Sequence, residues 1–219
     1  MFLAYDLLEV NGNDQRAQPL AWRRNRLEQL LPEPDANLFI VPTVAADSWQ
    51  DLARSRDDSR RRRVEGLMLK QRSSRYGVGR TRGPWWKWKI DPYTVDAILL
   101  YAQPGSGRRS NLLTDYTFAV WNDGELATFC KAYSGLNNNE IRELDRWIRR
   151  NTTERFGPVR SVVPTHVFEI AFEGIALSKR HKAGVAVRFP RINRWRTDLS
   201  IKDADTLDSV KALLHVQGS

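Results

Sequence analysis

The chain is poor in sulfur: Cys130 is the only cysteine among 219 residues. That excludes an internal disulfide and any zinc site built on several cysteines, and it fits a reducing compartment. The surrounding LATFCKAY is apolar and strand-like, so Cys130 reads as a small buried hydrophobe rather than a nucleophile. Histidine is scarce too. His166, His181 and His215 lie scattered without metal-ligand spacing, and no Ser-His-Asp arrangement can be drawn from them. No apolar run approaches the ~20 residues of a membrane span. The longest, around Val95 to Ala102, is a strand's length. FLAYDLLEV carries charges inside its short apolar start, unlike a secretory signal. A Gly-rich phosphate loop of the Walker type and internal repeats are also missing.

What the chain has is positive charge. Its net charge of +9 and pI near 10.0 point to nucleic acid, an anionic membrane or another polyanion. An apolar fraction of 41% supplies a real core, for one large domain or two modest ones. The charge is densest between Arg54 and Lys89, where 13 Lys or Arg face 3 Asp or Glu. Within that stretch, WKWKI reads as a strand. Strand alternation then places Lys87 and Lys89 on one face and Trp86 and Trp88 on the other. Two neighbouring ammonium groups call for an anion between them, and a phosphate is the natural candidate; a solvated basic face is the simpler alternative. Upstream, EGLMLK begins with Glu65, either an oxygen ligand for Mg²⁺ bound to a nucleotide or an ion-pair partner of Arg60 to Arg63. Gly66 permits close backbone approach.

Taken in order, Phe2 to Val10 reads as a strand closed by an Asn11-Gly12 turn. Such a strand needs partners elsewhere in the chain, or the chain is a piece of something longer. Pro19 to Leu31 follows as a helix with Leu20, Leu27, Leu30 and Leu31 inward and Arg23, Arg24 and Arg26 outward. Leu38 to Val44 reads as a strand and Asp47 to Arg63 as a second helix. The loop from Lys70 to Trp85 is rich in Arg, Ser and Gly, with Tyr76 as its aromatic, and could track a phosphodiester backbone. Composition changes after Asp91, which gives expected domains of 1–91 and 92–219, carrying +5 and +4. Five strand-length runs follow in the second part: 93–101, 115–121, 126–133, 167–172 and 185–189. A helix over 138–150 interrupts them, and a last one covers 203–215. The pattern suits a Greek-key barrel of the OB type or a mixed α+β domain.

Four stretches together resemble the C-terminal portion of a bacterial ATP-dependent DNA ligase. FLAYDLLEVNG is similar to that family's motif III, EGLMLK to motif IV, WWKWKID to motif V and RFPRINRWRTD to motif VI. From Tyr76 onward the text looks most like bacterial ligases often encoded beside a large helicase and a nuclease. The resemblance implies an α+β chain: the C-terminal half of a nucleotidyltransferase (ATP-grasp-like ligase) domain, then an OB-fold β-barrel. It implies ATP as AMP donor, Mg²⁺, nicked duplex DNA as partner, and a bacterial cytoplasmic, nucleoid-associated setting without a membrane. It assigns Tyr5 to adenine stacking, Glu65 to the metal and the adenylate, and Lys87 and Lys89 to the α-phosphate. Arg188, Arg191 and Arg194 fall in the region that orients pyrophosphate, and Arg72, Arg75, Arg80, Arg82 and Arg196 face nucleic acid.

Two departures stand out. Asp198 is followed by Leu199 where the family usually has lysine, which removes one phosphate contact. No Lys-x-Asp-Gly, the family's nucleophile motif, occurs in the 219 residues. Lys70, Lys87 and Lys89 already have other roles by resemblance, so the nucleophile is expected on a separate or missing N-terminal part. The chain alone is then inactive in self-adenylylation. A catalytically incomplete nucleic-acid-binding or complementing module is the alternative, and an RNA ligase or capping enzyme the third reading.

Overall fold

The structure, a computed structural model, describes residues 2–32, 37–79 and 82–216. It divides into two compact units, Met1–Ile90 and Asp91–Ser219.

In the first unit β1 (Phe2–Ala4) lies parallel to β4 (Leu38–Ile40). The strand expected to run to Val10 breaks after Ala4, because Asp6 turns in to meet Arg23. β2 (Glu9–Val10) and β3 (Asn13–Asp14) then make a hairpin on Asn11 and Gly12. Both turn residues have positive φ, 50° and 77°, the geometry that favours Asn-Gly in two-residue hairpins. Helix α1 (Leu20–Leu30) buries Arg23 and Leu27, one turn apart on the same face. Arg23 thus lies inside, contrary to its expected place on the polar side. Helix α2 (Trp49–Asp57) starts at Ser48, whose hydroxyl accepts the Asp51 N–H at 3.2 Å. It stops six residues short of the expected Arg63, and Arg63 itself takes a left-handed φ of 56°.

β5 (Gly66–Lys70) and β6 (Trp85–Lys89) form an antiparallel pair. Gly66 sits opposite Lys89 with φ +136°, and a Cβ there would strike the Trp88 carbonyl oxygen and come within 2.7 Å of Lys89 Cα. Only glycine lets the two backbones approach this closely.

The second unit is built on β7 (Tyr93–Pro104). One edge of β7 pairs with β8 (Leu113–Asn122), which continues to β9 (Glu125–Ala132) through a turn on Asp123 and Gly124. Helix α3 (Asn138–Arg150) begins with a capping box in which Asn137 and Glu140 satisfy each other's backbone N–H groups. A hairpin of β10 (Thr152–Phe156) and β11 (Val159–Val162) follows. β12 (Val167–Phe172) then pairs with β7 on the same edge as β11, and β15 (Arg191–Trp195) pairs with β12. β13 (Gly174–Leu177) and β14 (Val185–Arg188) make a separate ribbon, and α4 (Leu207–Val216) closes the described chain. The seven-stranded sheet curls around Phe118, Phe168, Ile170, Phe172 and Val185, with Leu144 and Ile148 of α3 packed in. Five strands and an inserted helix make this an OB-fold, extended by the β10–β11 hairpin. The chain as a whole is α+β.

No helix among the described residues is long and apolar enough to cross a membrane.

Candidate functional site

In the first unit the register of β5 and β6 sets Lys70 opposite Trp85, Met68 opposite Lys87 and Gly66 opposite Lys89. Directly opposed residues share a face, so Lys70, Lys87 and Lys89 stand together on one side of the ribbon, with Met68 and Trp85. Leu67, Leu69, Trp86 and Trp88 take the other. There Trp88 meets Trp49 edge-on at 6.1 Å and Arg56 lies over its ring, while Trp86 remains exposed.

The lysines of this face are held differently. Lys89 Nζ lies 2.7 Å from Glu65 Oε2, and the Glu65 carbonyl accepts the Ile90 N–H, which ties the carboxylate to the end of β6. Lys87 is exposed, and its ammonium makes no hydrogen bond or ion pair with a described residue. Lys70 is clamped between two rings: its Nζ sits 4.7 Å from the centroid of Tyr5 and 4.2 Å from that of Trp85. Burial lowers the Lys70 pKa below 10.5, with the Asp6 carboxylate working against this and Arg24 and Arg23 adding to it.

Below Tyr5 runs a network that the sequence reading did not find. Asp6 and Arg23 pair bidentately at 2.7 and 2.9 Å, both almost fully buried. Arg23 also donates to the Gln18 and Ser74 carbonyls and lies over the Tyr76 ring. Tyr76 packs edge-on against Trp85 at 5.5 Å, and a hydrogen bond between the Tyr76 and Tyr5 phenols, with burial second, raises the Tyr76 pKa. Trp85 Nε1 donates to the buried Ser74 hydroxyl at 3.2 Å. The signal was a lone carboxylate in an apolar run and an arginine at helical spacing from Leu27. A buried charge needs a partner, and each is the other's.

The basic loop is therefore pinned at Ser74 and Tyr76, while Arg72, Arg75 and Arg82 point to solvent. Arg80 lies outside the described residues. Tyr5 is half exposed, with 51% of its surface accessible.

The arginines of RFPRINRWRTD belong to the second unit. Arg191 donates to Glu173 at 3.0 Å, and Arg194 lies 3.9 Å from Glu169, its neighbour across the strands. Arg196 is the most engaged: it binds both Asp96 oxygens at 2.8 and 3.0 Å and both oxygens of Asp198. These contacts hold Asp198 down at about 2, whereas burial raises Asp96 against the pull of Arg196. Arg188 is exposed and lies over the ring of Phe189, which carries a positive φ of 54°. Leu199 packs into a small apolar cluster with Ile98, Val167 and Ala204. Cys130 packs against the main core, and burial pushes its thiol well up.

Two family models match in succession. Residues 1–89 match the ATP dependent DNA ligase domain, and residues 109–199 the ATP dependent DNA ligase C terminal region. A probable DNA ligase of Koribacter versatilis is 40% identical over 238 aligned residues, covering 99% of this chain and 41% of that protein. A probable DNA ligase of Opitutus terrae is 35% identical, covering 98% of this chain and 24% of that one. The chain thus spans less than half the length of these relatives. A solved Lig E DNA ligase structure shares the fold with a TM-score of 0.61 at 20% identity, over 89% of this chain and 62% of that one.

Proposed function

Because the chain belongs to the ATP-dependent DNA ligase family, whose middle and C-terminal regions it carries, we propose that the whole protein seals nicks in duplex DNA. The observation that carries this reading is the shared face of Lys70, Lys87 and Lys89 beside the ring of Tyr5. A nucleotide laid there would stack its base on Tyr5 and set its α-phosphate against Lys87 and Lys89. Those ammonium groups would stabilise the charge that builds as the phosphoryl group transfers. Lys89 arrives already oriented by Glu65.

The carboxylates fit a protein-built metal centre poorly: among the described residues no group of three or more His, Cys, Asp or Glu is placed to hold an ion. Mg²⁺ is assigned as the nucleotide's own counter-ion, with Glu65 as its protein oxygen. Arg188, Arg191 and Arg194 are assigned to the pyrophosphate. Arg72, Arg75, Arg80, Arg82 and Arg196 are assigned to the DNA backbone. Arg191 and Arg196 reach a phosphate only by giving up carboxylates that they now hold. The setting is the bacterial cytoplasm, on the nucleoid, in repair, replication or recombination.

The nucleophile is assigned to a lysine on another part of the protein, since no Lys-x-Asp-Gly occurs here. Incubation of this chain with α-labelled ATP and Mg²⁺, followed by denaturing electrophoresis, is expected to leave no covalent label. A labelled band would contradict the assignment. The second reading, a complementing module, predicts that adding a polypeptide with the Lys-x-Asp-Gly segment restores labelling only when both are present.

A further inference from the structure

The β10–β11 hairpin carries charge that the proposed function leaves unused. β11 and β12 pair with successive stretches of the same edge of β7, β11 at Tyr101 and Ala102 and β12 from Tyr93 to Ile98, and β10 and β15 lie outside them, so the hairpin and the β15 arginines are set apart along β7. Within the hairpin Arg155 stands directly opposite Arg160. Opposed side chains on an antiparallel pair share a face with Cβ atoms about 5 Å apart, where like charges repel. Neither guanidinium forms an ion pair with a described residue.

Burial first, then Arg155 and Arg149, lower the pKa of Arg160, and only Asp145 opposes them. Asp145 is already committed, accepting the Leu113 N–H at 2.9 Å and the Arg149 Nε at 2.8 Å. The pair therefore holds more positive charge than its surroundings neutralise. Arg155 is exposed on an edge strand, so the site is open along its length, which suits a chain of phosphates better than one enclosed anion.

The geometry points to an anion-binding edge made of Arg155 and Arg160, whose ligand is the phosphodiester backbone of nucleic acid. It rests on the ligase reading, which supplies the polyanion, and it adds a contact on a different hairpin from the strand that carries the β15 arginines.

The test is fluorescence anisotropy of the full chain on a labelled nicked duplex across a NaCl series. Each phosphate contact contributes about 0.9 to the slope of log K against log salt. The double variant Arg155→Gln/Arg160→Gln is expected to flatten the slope by about 1.8, so that its affinity falls about tenfold less than wild type between 50 and 200 mM salt. Arg155→Lys/Arg160→Lys should keep the wild-type slope, and Lys211→Gln, on α4, should leave it unchanged. Relief of the Arg155–Arg160 repulsion predicts no fall in Tm for the glutamine variant. A glutamine variant with the wild-type slope would overturn the proposal and leave the pair as a guard against edge-to-edge pairing. A wild-type chain that fails to bind would overturn this proposal together with the assignment of this chain's other arginines to the DNA backbone; an unchanged slope with wild-type binding intact overturns this one alone.

Discussion

Among the described residues of the first unit the largest fully buried side chain is Arg23, and the only buried hydrophobic residues are Ala4 and Leu27. The second unit buries Tyr116, Phe118, Phe168, Phe172, Leu99, Leu144 and Ile148. Surface follows the same division: Phe2, Trp49 and Trp86 of the first unit are 66%, 67% and 54% exposed. The paired strands of that unit come in twos, while the second closes a seven-stranded sheet on a core. The second unit is held by apolar area removed from water, the first by a charged pair and rings packed edge-on beside its lysines. A hydrophobic core fixes shape; the ion-pair network fixes where charges stand, which is what a phosphate site needs.

The sharpest way to break this contrast is to remove Arg23. Arg23→Leu leaves Asp6 buried and unpaired, so the first unit should lose about 3–5 kcal/mol while the transition of the second stays where it was. Denaturant unfolding followed by tryptophan fluorescence, with second-unit residues monitored separately by amide exchange, would show it. Asp6→Leu/Arg23→Leu should regain much of the loss, because an apolar pair of similar volume escapes the desolvation cost. Equal destabilisation of both units by Arg23→Leu would erase the distinction.

Gly66→Ala comes next, at about 1–3 kcal/mol for the backbone conformation, before the contact with the Trp88 carbonyl is counted. It should separate β5 from β6 and weaken nucleotide binding without changing DNA contacts of the second unit. In the second unit Asn137→Ala removes the cap of α3 and should cost about 1 kcal/mol by thermal unfolding. The last effect is confined to a pH window. His166 lies between Trp147 and Trp195, and burial lowers its pKa below 6.5. Below pH 6.5 the unfolded chain takes up a proton that the folded one refuses, so stability should fall as pH drops from 6.5 toward the lowered folded value. His166→Phe should flatten that decline, with the first unit unaffected.

The same contrast explains what could be read from the letters. Asn137 and Glu140 bracket a helix that the apolar spacing of Ile141, Leu144 and Ile148 had already drawn, and the structure places it over the expected residues, 138–150. Lys87 and Lys89 share a face because strand alternation admits little else. β10, β11, β13 and β15 went unread. TTERF and RINRW mix charged and polar residues with few apolar ones, and an edge strand facing solvent carries no apolar signature. The pairing of Asp6 with Arg23, 17 residues apart, depends on the fold bringing α1 behind Tyr5. Lys70 was legible as a lysine of EGLMLK, but its place between Tyr5 and Trp85 was not, since the rings come from opposite ends of the first unit.

The most direct measurement is titration calorimetry of AMP into this chain, wild type against Lys87→Ala and Tyr5→Ala. Wild type should bind without covalent capture. Lys87→Ala should weaken binding by about 10–100-fold, the worth of one charge-assisted hydrogen bond, and Tyr5→Ala should weaken it by removing the stacking ring. Binding that is indifferent to Lys87, or absent from the wild-type chain, would contradict the claim that this face is the adenylate wall of a ligase.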